Sequence, residues 1–211
     1  MNGLPERMLK VVSEDRPVSA GGDSSADRIA DAALRQFELF GLERTTMDDI
    51  ARRANVSRVT VYRRYSGKDA LIDAVVMREL QRFLADLDQA LAEVDAPEDR
   101  IAEGFVFTLQ AMRAHRLLQR LLESEPESIV PLLTVDGAPF IAAVSDHLTQ
   151  RGLQEVAGRD PEEFRVVAEI VVRLILSCLL TPQSVIDLDD PAEARAFARR
   201  YLRPLLLEDQ P

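Results

Sequence analysis

The sequence predicts an all-α protein with a small N-terminal helical unit and a larger C-terminal helical unit. Apolar residues recur at helical spacing along nearly the whole chain after residue 23. Proline and glycine separate these stretches, and no β-hairpin signal occurs between them. Hydrophobic residues make up 46% of the 211 positions, enough for a substantial core. We divide the chain into a flexible tail (1–23), a head (24–70) and a body (71–211).

The first predicted helix forms the back of the head. Ser24 or Ser25 suits its N-cap, because serine side chains accept hydrogen bonds from the first free N–H groups. Gly41 is expected to end the helix, since glycine adopts the left-handed conformation that often closes helices. The helix carries one apolar stripe, formed by Ile29, Ala32, Ala33, Phe37 and Phe40.

A short second helix is predicted for Met47–Ala54. Thr46 is expected to cap it, with Asp49 as the capping-box partner three residues later. Asn55 follows where the chain must turn, and asparagine tolerates the left-handed conformation better than most residues.

A third helix is predicted for Arg58–Tyr65, capped by Ser57 and turning Val61 inward. Two helices joined by such a short turn form a helix-turn-helix. The outer side of the third helix carries residues that suit phosphates and base edges in a major groove: Arg58, Thr60, Tyr62, Arg63 and Arg64.

Positive charge is concentrated on this part of an acidic chain. Between Arg44 and Lys68 there are seven basic and two acidic residues, a net charge of +5. The remainder carries 19 basic and 34 acidic residues, a net charge of −15. This distribution predicts that the head contacts nucleic acid.

The segment from Ala26 to Leu80 resembles the N-terminal DNA-binding domain of the TetR family of bacterial transcription regulators. The resemblance rests on ADRIADAALRQFELFGLERTTM (26–47), DDIARRANVSRVTVYRRY (48–65) and GKDAL (67–71). The sequence departs from the family at Val59, where Gly or Pro is frequent, and at Tyr65, where Phe is frequent. Because Val59 alters which base edges the helix reaches, no operator sequence is carried over.

The predicted DNA-binding residues form two groups. One group would contact bases and nearby phosphates from the third helix, which Ser57 caps: Ser57, Arg58, Thr60, Tyr62 and Arg63. The other would mainly hold the DNA backbone: Arg44, Thr46, Tyr65 and Lys68. For the tail we favour a disordered leader, and the alternative is an arm that reaches along DNA through Arg7, Lys10 and Arg16.

A long fourth helix is predicted to connect the head to the body. Ser66 is expected to cap it with Asp69 as partner, and Lys68 lies in its first turn. A helix N-terminus beside a lysine suits a phosphate, although a simply solvated lysine is the alternative. The apolar pattern continues to about Val94, a length of roughly 40 Å.

The body is predicted to contain helices at 99–114, 116–122, 128–134, 139–152, 161–181 and 191–203. The 161–181 helix is apolar nearly all round and must be covered on more than one side. The last helix carries one apolar stripe, and Pro204 should end or kink it. We therefore predict a homodimer in which the last two helices of each copy form a four-helix interface. The alternative is a monomer that buries the 161–181 helix alone.

The resemblance also implies a small-molecule effector bound among the body helices. The residues predicted to contact it are Phe105, Thr108, Leu109, Met112, Phe140, Val144, His147 and Arg173, with Leu176 as a further wall residue. Ordinary core packing is the alternative for the apolar members. For Arg173 the alternative is an ion pair with Glu169 one helical turn earlier.

Several classes of protein are disfavoured by composition and motifs. A single cysteine, Cys178, forbids an intrachain disulfide and indicates a reducing compartment. The start lacks a signal-peptide run, and Glu169 and Arg173 interrupt the most apolar segment, so we expect a cytoplasmic protein without membrane contact. No zinc spacing, phosphate loop or nucleophile motif occurs, so we predict no enzyme activity, catalytic residue, cofactor or metal.

The sequence thus predicts a sequence-specific DNA-binding transcription regulator, specifically a repressor released from a palindromic operator by a small molecule. One alternative is a DNA-binding regulator controlled by a partner protein or by abundance. Another is an all-helical small-molecule binder or enzyme with a vestigial helix-turn-helix, which the clustered basic charge argues against.

Overall fold

The structure, a computed structural model, describes residues 24–96, 99–155 and 160–207, so the predicted tail lies outside the described residues. These ranges form helices and contain no strand, which confirms the all-α class. In chain order the helices are α1 (Ser24–Arg44), α2 (Met47–Ala54), α3 (Arg58–Arg64), α4 (Lys68–Ala92), α5 (Arg100–Ala114), α6 (Arg116–Ser124), α7 (Pro126–Leu133), α8 (Ala138–Glu155), α9 (Pro161–Leu180), α10 (Pro191–Tyr201) and α11 (Arg203–Leu207).

The head is built on the apolar stripe of α1. Ile29 and Phe37 are fully buried in the same cluster as Ile50 of α2 and Val61 of α3. The helix reaches Arg44, but Gly41 interrupts it with φ 82° and ψ 173°. The predicted end at Gly41 therefore appears as a break, followed by one further helical turn.

Helix α4 joins the head to the body. Its 25 residues span about 37 Å at 1.5 Å per residue. Leu71 and Val75 are fully buried in the head cluster, whereas Leu84 and Leu87 are buried farther along the helix. A second apolar cluster unites α5, α9 and α10 and includes Phe105, which is 1% exposed. One continuous helix therefore connects the helix-turn-helix to the interior of the body.

The start of α4 differs from the prediction. Its N-cap is Gly67, which has no side chain to accept a hydrogen bond, so the predicted cap at Ser66 is wrong. The backbone is extended at Tyr65 and at Gly67, so α4 begins only at Lys68. Lys68 is therefore the first residue of the helix and keeps its predicted place in the first turn.

Other boundaries shift by a few residues. Helix α7 begins at Pro126 rather than Ser128, because proline fits the first turn of a helix, where no N–H donor is needed. Helix α10 ends at Tyr201, two residues before the predicted end, and the short α11 follows. The break between α10 and α11 thus comes just before Pro204, because a proline ring clashes with the preceding turn of a continuous helix.

Candidate nucleic-acid interface and internal cavity

Local hydrogen bonds fix the turn between α2 and α3. The Thr46 hydroxyl accepts from the Asp49 N–H at 3.2 Å, and the Asp49 carboxylate accepts from the Thr46 N–H at 3.1 Å. Asn55 closes α2 in the left-handed conformation, with φ 53° and ψ 49°. The Ser57 hydroxyl accepts from the Thr60 N–H at 3.1 Å. The predicted caps and turn are confirmed, and the Ser57 hydroxyl serves to position α3.

Helix α3 turns one side chain inward and presents others at the surface. Val61 is fully buried, whereas Val59 is 75% exposed and Tyr62 is 42% exposed. Arg58 and Arg63 are also exposed. A major groove admits an α-helix, and arginine is the residue that most often reads guanine there. The exposed side of α3 thus has the chemistry of a recognition helix.

A carboxylate and an aromatic ring hold Arg58 in place. Its Nη1 donates to Asp48 Oδ2 at 3.1 Å, and its Cζ lies 5.3 Å from the centroid of the Tyr62 ring. Tyr62 and Asp48 raise the pKa of Arg58 further above the physiological range, in which an arginine guanidinium is always charged. The sequence prediction missed Asp48, which lies ten positions before Arg58 and orients it from α2.

The residues predicted to hold the DNA backbone lie around the start of α4. Lys68 Nζ donates to the Glu43 carbonyl oxygen at 3.1 Å, which ties α4 to the segment before α2. Arg44 and Thr46 on that segment are exposed. Tyr65 is half-buried, and burial raises the pKa of its hydroxyl. Contact of these residues with DNA stays a prediction.

An ionic network links head and body beside α4. Arg78 Nη2 lies 2.8 Å from Asp31 Oδ1 of α1, and Arg82 Nη1 donates to Glu79 Oε1 at 2.9 Å. His115, between α5 and α6, approaches Glu79 Oε2 to 3.8 Å. Burial acts to raise the pKa of Glu79, but His115, Arg82 and Arg78 together bring it below its ordinary value.

A cavity of about 280 Å³ lies in the body between α4, α5, α8 and α9. Leu80, Phe83 and Leu87 of α4 form one wall, and Phe105 and Phe140 lie among the residues of the other walls. Ligand sites in proteins typically enclose about 300–1,000 Å³ and are mostly apolar. At about 280 Å³ the cavity lies just below this range, so it suits a small ligand.

Most of the predicted effector contacts line this cavity, namely Phe105, Thr108, Met112, Phe140, Val144 and Leu176. Thr108 is 7% exposed and brings a hydroxyl to the wall. The structure thus brings these six residues together around one cavity, and their contact with a ligand stays a prediction.

Three predicted contacts lie outside the cavity wall. Leu109 is 2% exposed and packs in the second apolar cluster, one helical position away from Thr108. His147 approaches Asp88 to 3.4 Å between its Nε2 and Oδ1 atoms. Arg173 Nε donates to Glu169 Oε1 at 2.8 Å on an exposed face, which is the ion pair considered as its alternative.

A polar group that the sequence did not predict stands at the cavity. Asp88 of α4 and Arg151 of α8 both line it, and Arg151 Nε and Nη2 donate to Asp88 Oδ2 at 2.9 and 2.6 Å. The two residues are 63 positions apart, so only the fold brings them together. They give one side of an apolar cavity a charged, hydrogen-bonding character.

The capped turn, the exposed basic side of α3 and the long helix into a cavity-bearing body define a helix-turn-helix DNA-binding protein with a helical regulatory domain. Comparison with protein-family models agrees. Residues 29–75 match the model described as bacterial regulatory proteins, tetR family. Residues 97–199 match the model described as bacterial tetracyclin repressor, C-terminal domain, and the two matches cover more than two thirds of the chain.

The chain belongs to the TetR family and is a DNA-binding transcription regulator. An HTH-type transcriptional regulator of Mycobacterium tuberculosis is 28% identical over 182 residues, covering 86% of this chain and 85% of the relative. The regulator AlkX of the same species is 26% identical over 143 residues, covering 65% and 66%. Its relatives are thus transcription regulators rather than enzymes.

A solved structure shows the same fold along nearly the whole chain. The TetR family repressor AlkX from Dietzia sp. strain DQ12-45-1b, implicated in biodegradation of n-alkanes, superposes with a TM-score of 0.64. The alignment covers 87% of this chain and 95% of that chain at 21% identity. At this identity the comparison supports the fold, including the helical body.

Within the described ranges no single helix is both long and apolar enough to cross a membrane. Pro126–Leu133 together with Ala138–Leu153 would have the length and composition, but the pair is bent by 56°.

Proposed function

We propose that this regulator is a cytoplasmic repressor that binds a palindromic operator as a homodimer and leaves it when a small molecule enters the body cavity. Helix α4 carries the proposal. It begins with Lys68 beside the DNA-facing segment and then lines the cavity with Leu80, Phe83 and Leu87. A ligand that fits better when α4 is displaced would favour a conformation in which the two heads have a different spacing. The affinity of the dimer for the operator would then fall.

Exposed apolar residues on the last long helices support the homodimer. Val166 and Ile170 on α9 are 57% and 44% exposed, one helical turn apart, and Tyr201 at the end of α10 is 54% exposed. Pairing of α9 and α10 with the same helices of a second copy would remove this surface from water. Two heads would then reach successive major grooves on one side of the duplex.

The cavity wall favours a mainly apolar ligand with one polar group. Aromatic and aliphatic side chains form most of the wall, while Thr108 and the Asp88–Arg151 pair offer hydrogen bonds. Buried polar groups of this kind orient a ligand whose affinity comes mostly from apolar contact.

Selection of genomic fragments tests DNA binding first. Purified protein is incubated with sheared genomic DNA, and bound fragments are sequenced. An enriched inverted repeat is expected for wild type and not for Tyr62→Ala, which removes an exposed side chain from α3. Arg116→Ala removes an exposed charge on α6, which belongs neither to the helix-turn-helix nor to the proposed α9–α10 interface, and serves as the control that should retain the enrichment. Equal enrichment with Tyr62→Ala would contradict the recognition role of α3.

Paired arginine substitutions test the dimer. Ile170→Arg places a charge on the proposed interface and should give a monomer in sedimentation velocity experiments. Val185→Arg adds the same charge at a fully exposed loop position and should leave the dimer intact. A dimeric Ile170→Arg variant would contradict pairing through α9.

Thermal shifts test the ligand. Fatty acids, alkanes and aromatic amphiphiles are added to wild type and to Val144→Trp, in which the larger side chain fills part of the cavity. A stabilising compound that also lowers operator affinity should act on wild type and not on the variant. No shift with any member of a broad panel would favour a regulator without small-molecule input.

A further inference from the structure

The break in α1 leaves backbone donors that α1 itself does not satisfy. Gly41 is non-helical, so Leu42 and Glu43 begin a new helical turn. The first N–H groups of such a turn lack an acceptor within the helix. A buried N–H without a partner is costly, and Leu42 is 8% exposed.

A carboxylate from the body supplies that acceptor. Glu125 Oε2 accepts from the Leu42 N–H at 2.9 Å and from the Glu43 N–H at 3.2 Å. Glu125 lies between α6 and α7, 83 positions after Leu42, and is only 7% exposed. An anion at the first N–H groups of a helical turn also interacts favourably with their partial positive charge.

Gly41 makes room for this contact. A Cβ atom built on residue 41 would overlap the Glu125 carboxylate. The positive φ of Gly41 is also a conformation that other L-residues rarely adopt. The glycine and the buried glutamate are therefore complementary parts of one contact, the interdomain cap, formed by Glu125 with residues 41–43.

The capped segment carries residues on the DNA side of the head. The Glu43 carbonyl accepts from Lys68, and the buried Thr45 hydroxyl donates to the Gly41 carbonyl at 2.7 Å. Arg44 and Thr46, both predicted to hold the DNA backbone, stand on the same short segment. The position of this segment therefore sets where the backbone contacts lie.

On the body side, the interdomain cap is continuous with the cavity wall. Leu121 and Ile129, which flank Glu125 on α6 and α7, belong to one buried apolar cluster. That cluster also contains Val144 and Leu176, which line the cavity. Packed interiors move as units rather than deforming smoothly, so a shift of α6 and α7 carries Glu125 with it.

We propose that Glu125 is a positioning residue for DNA binding: through the interdomain cap it holds each head at the spacing that the operator requires. This inference rests on the proposed dimeric repressor. Besides α4, the interdomain cap is then a second connection between body and head, made at the backbone amides of Leu42 and Glu43.

Operators with altered spacing test this role. The selected inverted repeat is compared with versions in which one base pair is added or removed between the half-sites. Wild type, Glu125→Gln and Gly41→Ala are measured by fluorescence anisotropy. Glu127→Gln, an exposed acidic neighbour, is the matched control. Glu125→Gln keeps the shape of the side chain and removes its charge.

The expected result is a loss of discrimination. Both variants should bind the natural spacing about tenfold more weakly, the scale of one charge-assisted hydrogen bond. Their preference for natural over altered spacing should also shrink by about tenfold, whereas Glu127→Gln matches wild type. A variant that is merely less stable lowers the active fraction and weakens all three operators equally, and that result would overturn the proposal.

Amide hydrogen exchange on the wild-type dimer gives an independent readout that needs no variant to fold. Protected amides at Leu42 and Glu43 are expected, and exchange at the rate of an open loop would overturn the interdomain cap. A wild-type protein that enriches no DNA would overturn the repressor itself, and the role of Glu125 with it. Unchanged spacing preference in variants of a DNA-binding wild type would overturn only the role of Glu125.

Discussion

Replacing Lys68 with alanine measures whether the start of α4 contacts a DNA phosphate. Its ammonium bonds the Glu43 carbonyl at 3.1 Å beside the exposed Arg44. Each phosphate that a protein cation neutralises contributes about 0.9 to the slope of log K against log salt concentration. A homodimer contains two copies of Lys68, so the slope should become shallower by about 1.8.

The change in slope gives a measurable change in affinity. Between about 50 and about 200 mM salt, the ratio of wild-type to Lys68→Ala affinity should fall by about 12-fold. Fluorescence anisotropy with the selected operator across this range supplies both slopes. The natural spacing of half-sites is kept, so that only the phosphate contact changes.

A charge-matched control separates a contact from a change in net charge. Arg116→Ala removes one positive charge per chain from an exposed position on α6, outside the helix-turn-helix, α4 and the proposed α9–α10 interface. Its slope should equal that of wild type. An unchanged slope for Lys68→Ala would show that Lys68 only bonds the Glu43 carbonyl, and equal changes in both variants would assign the effect to overall charge.

Three further predictions concern stability. Asn55→Ala should lower the free energy of unfolding by about 1 kcal/mol, because alanine is strained at φ 53°, and thermal unfolding should show Asn55→Gly closer to wild type. Gly152→Ala should lower the melting temperature because a Cβ there overlaps the Phe164 ring, whereas Gly104→Ala, whose Cβ would lie 3.6 Å from Leu91 Cδ2, should raise it through helix propensity; melts in which both variants behave alike would refute this contrast. The pKa of Glu79 is below its ordinary value, so its contribution to the free energy of unfolding is present above about pH 4.3 and is lost as the pH falls through the lower folded value. In acid titrations Glu79→Gln should therefore lose less stability than wild type, and identical acid curves would contradict this prediction.

The helix-turn-helix could be predicted from sequence because its determinants are local. Thr46 and Asp49 are three residues apart, as are Ser57 and Thr60, and each pair forms the expected cap. Asn55 needs only its own conformation to turn the chain. These caps and this turn depend only on residues close in sequence, so they can be predicted without knowledge of the rest of the fold.

Long-range polar contacts could not be predicted in this way. Glu125 meets Leu42 across 83 positions, and Asp88 meets Arg151 across 63. Helical periodicity also does not show which of two adjacent apolar faces of a helix meets a cavity and which meets the core. The pattern therefore predicts Leu109 at the cavity, although Leu109 packs in the second apolar cluster beside it. The sequence likewise placed the cap of α4 at Ser66 because serine suits an N-cap, whereas the helix begins one residue later.

The separation of a basic helix-turn-helix segment from an otherwise acidic chain makes the molecule an electric dipole. Residues 44–68 carry +5 and the remaining residues −15, so the field of a nearby duplex exerts a torque that turns this segment toward the DNA and the acidic body away from it. At physiological salt this torque acts within roughly 8 Å, the final approach to the groove. If two of the proposed dimers occupy adjoining sites, their acidic bodies repel one another, which should limit how closely they bind along one stretch of DNA.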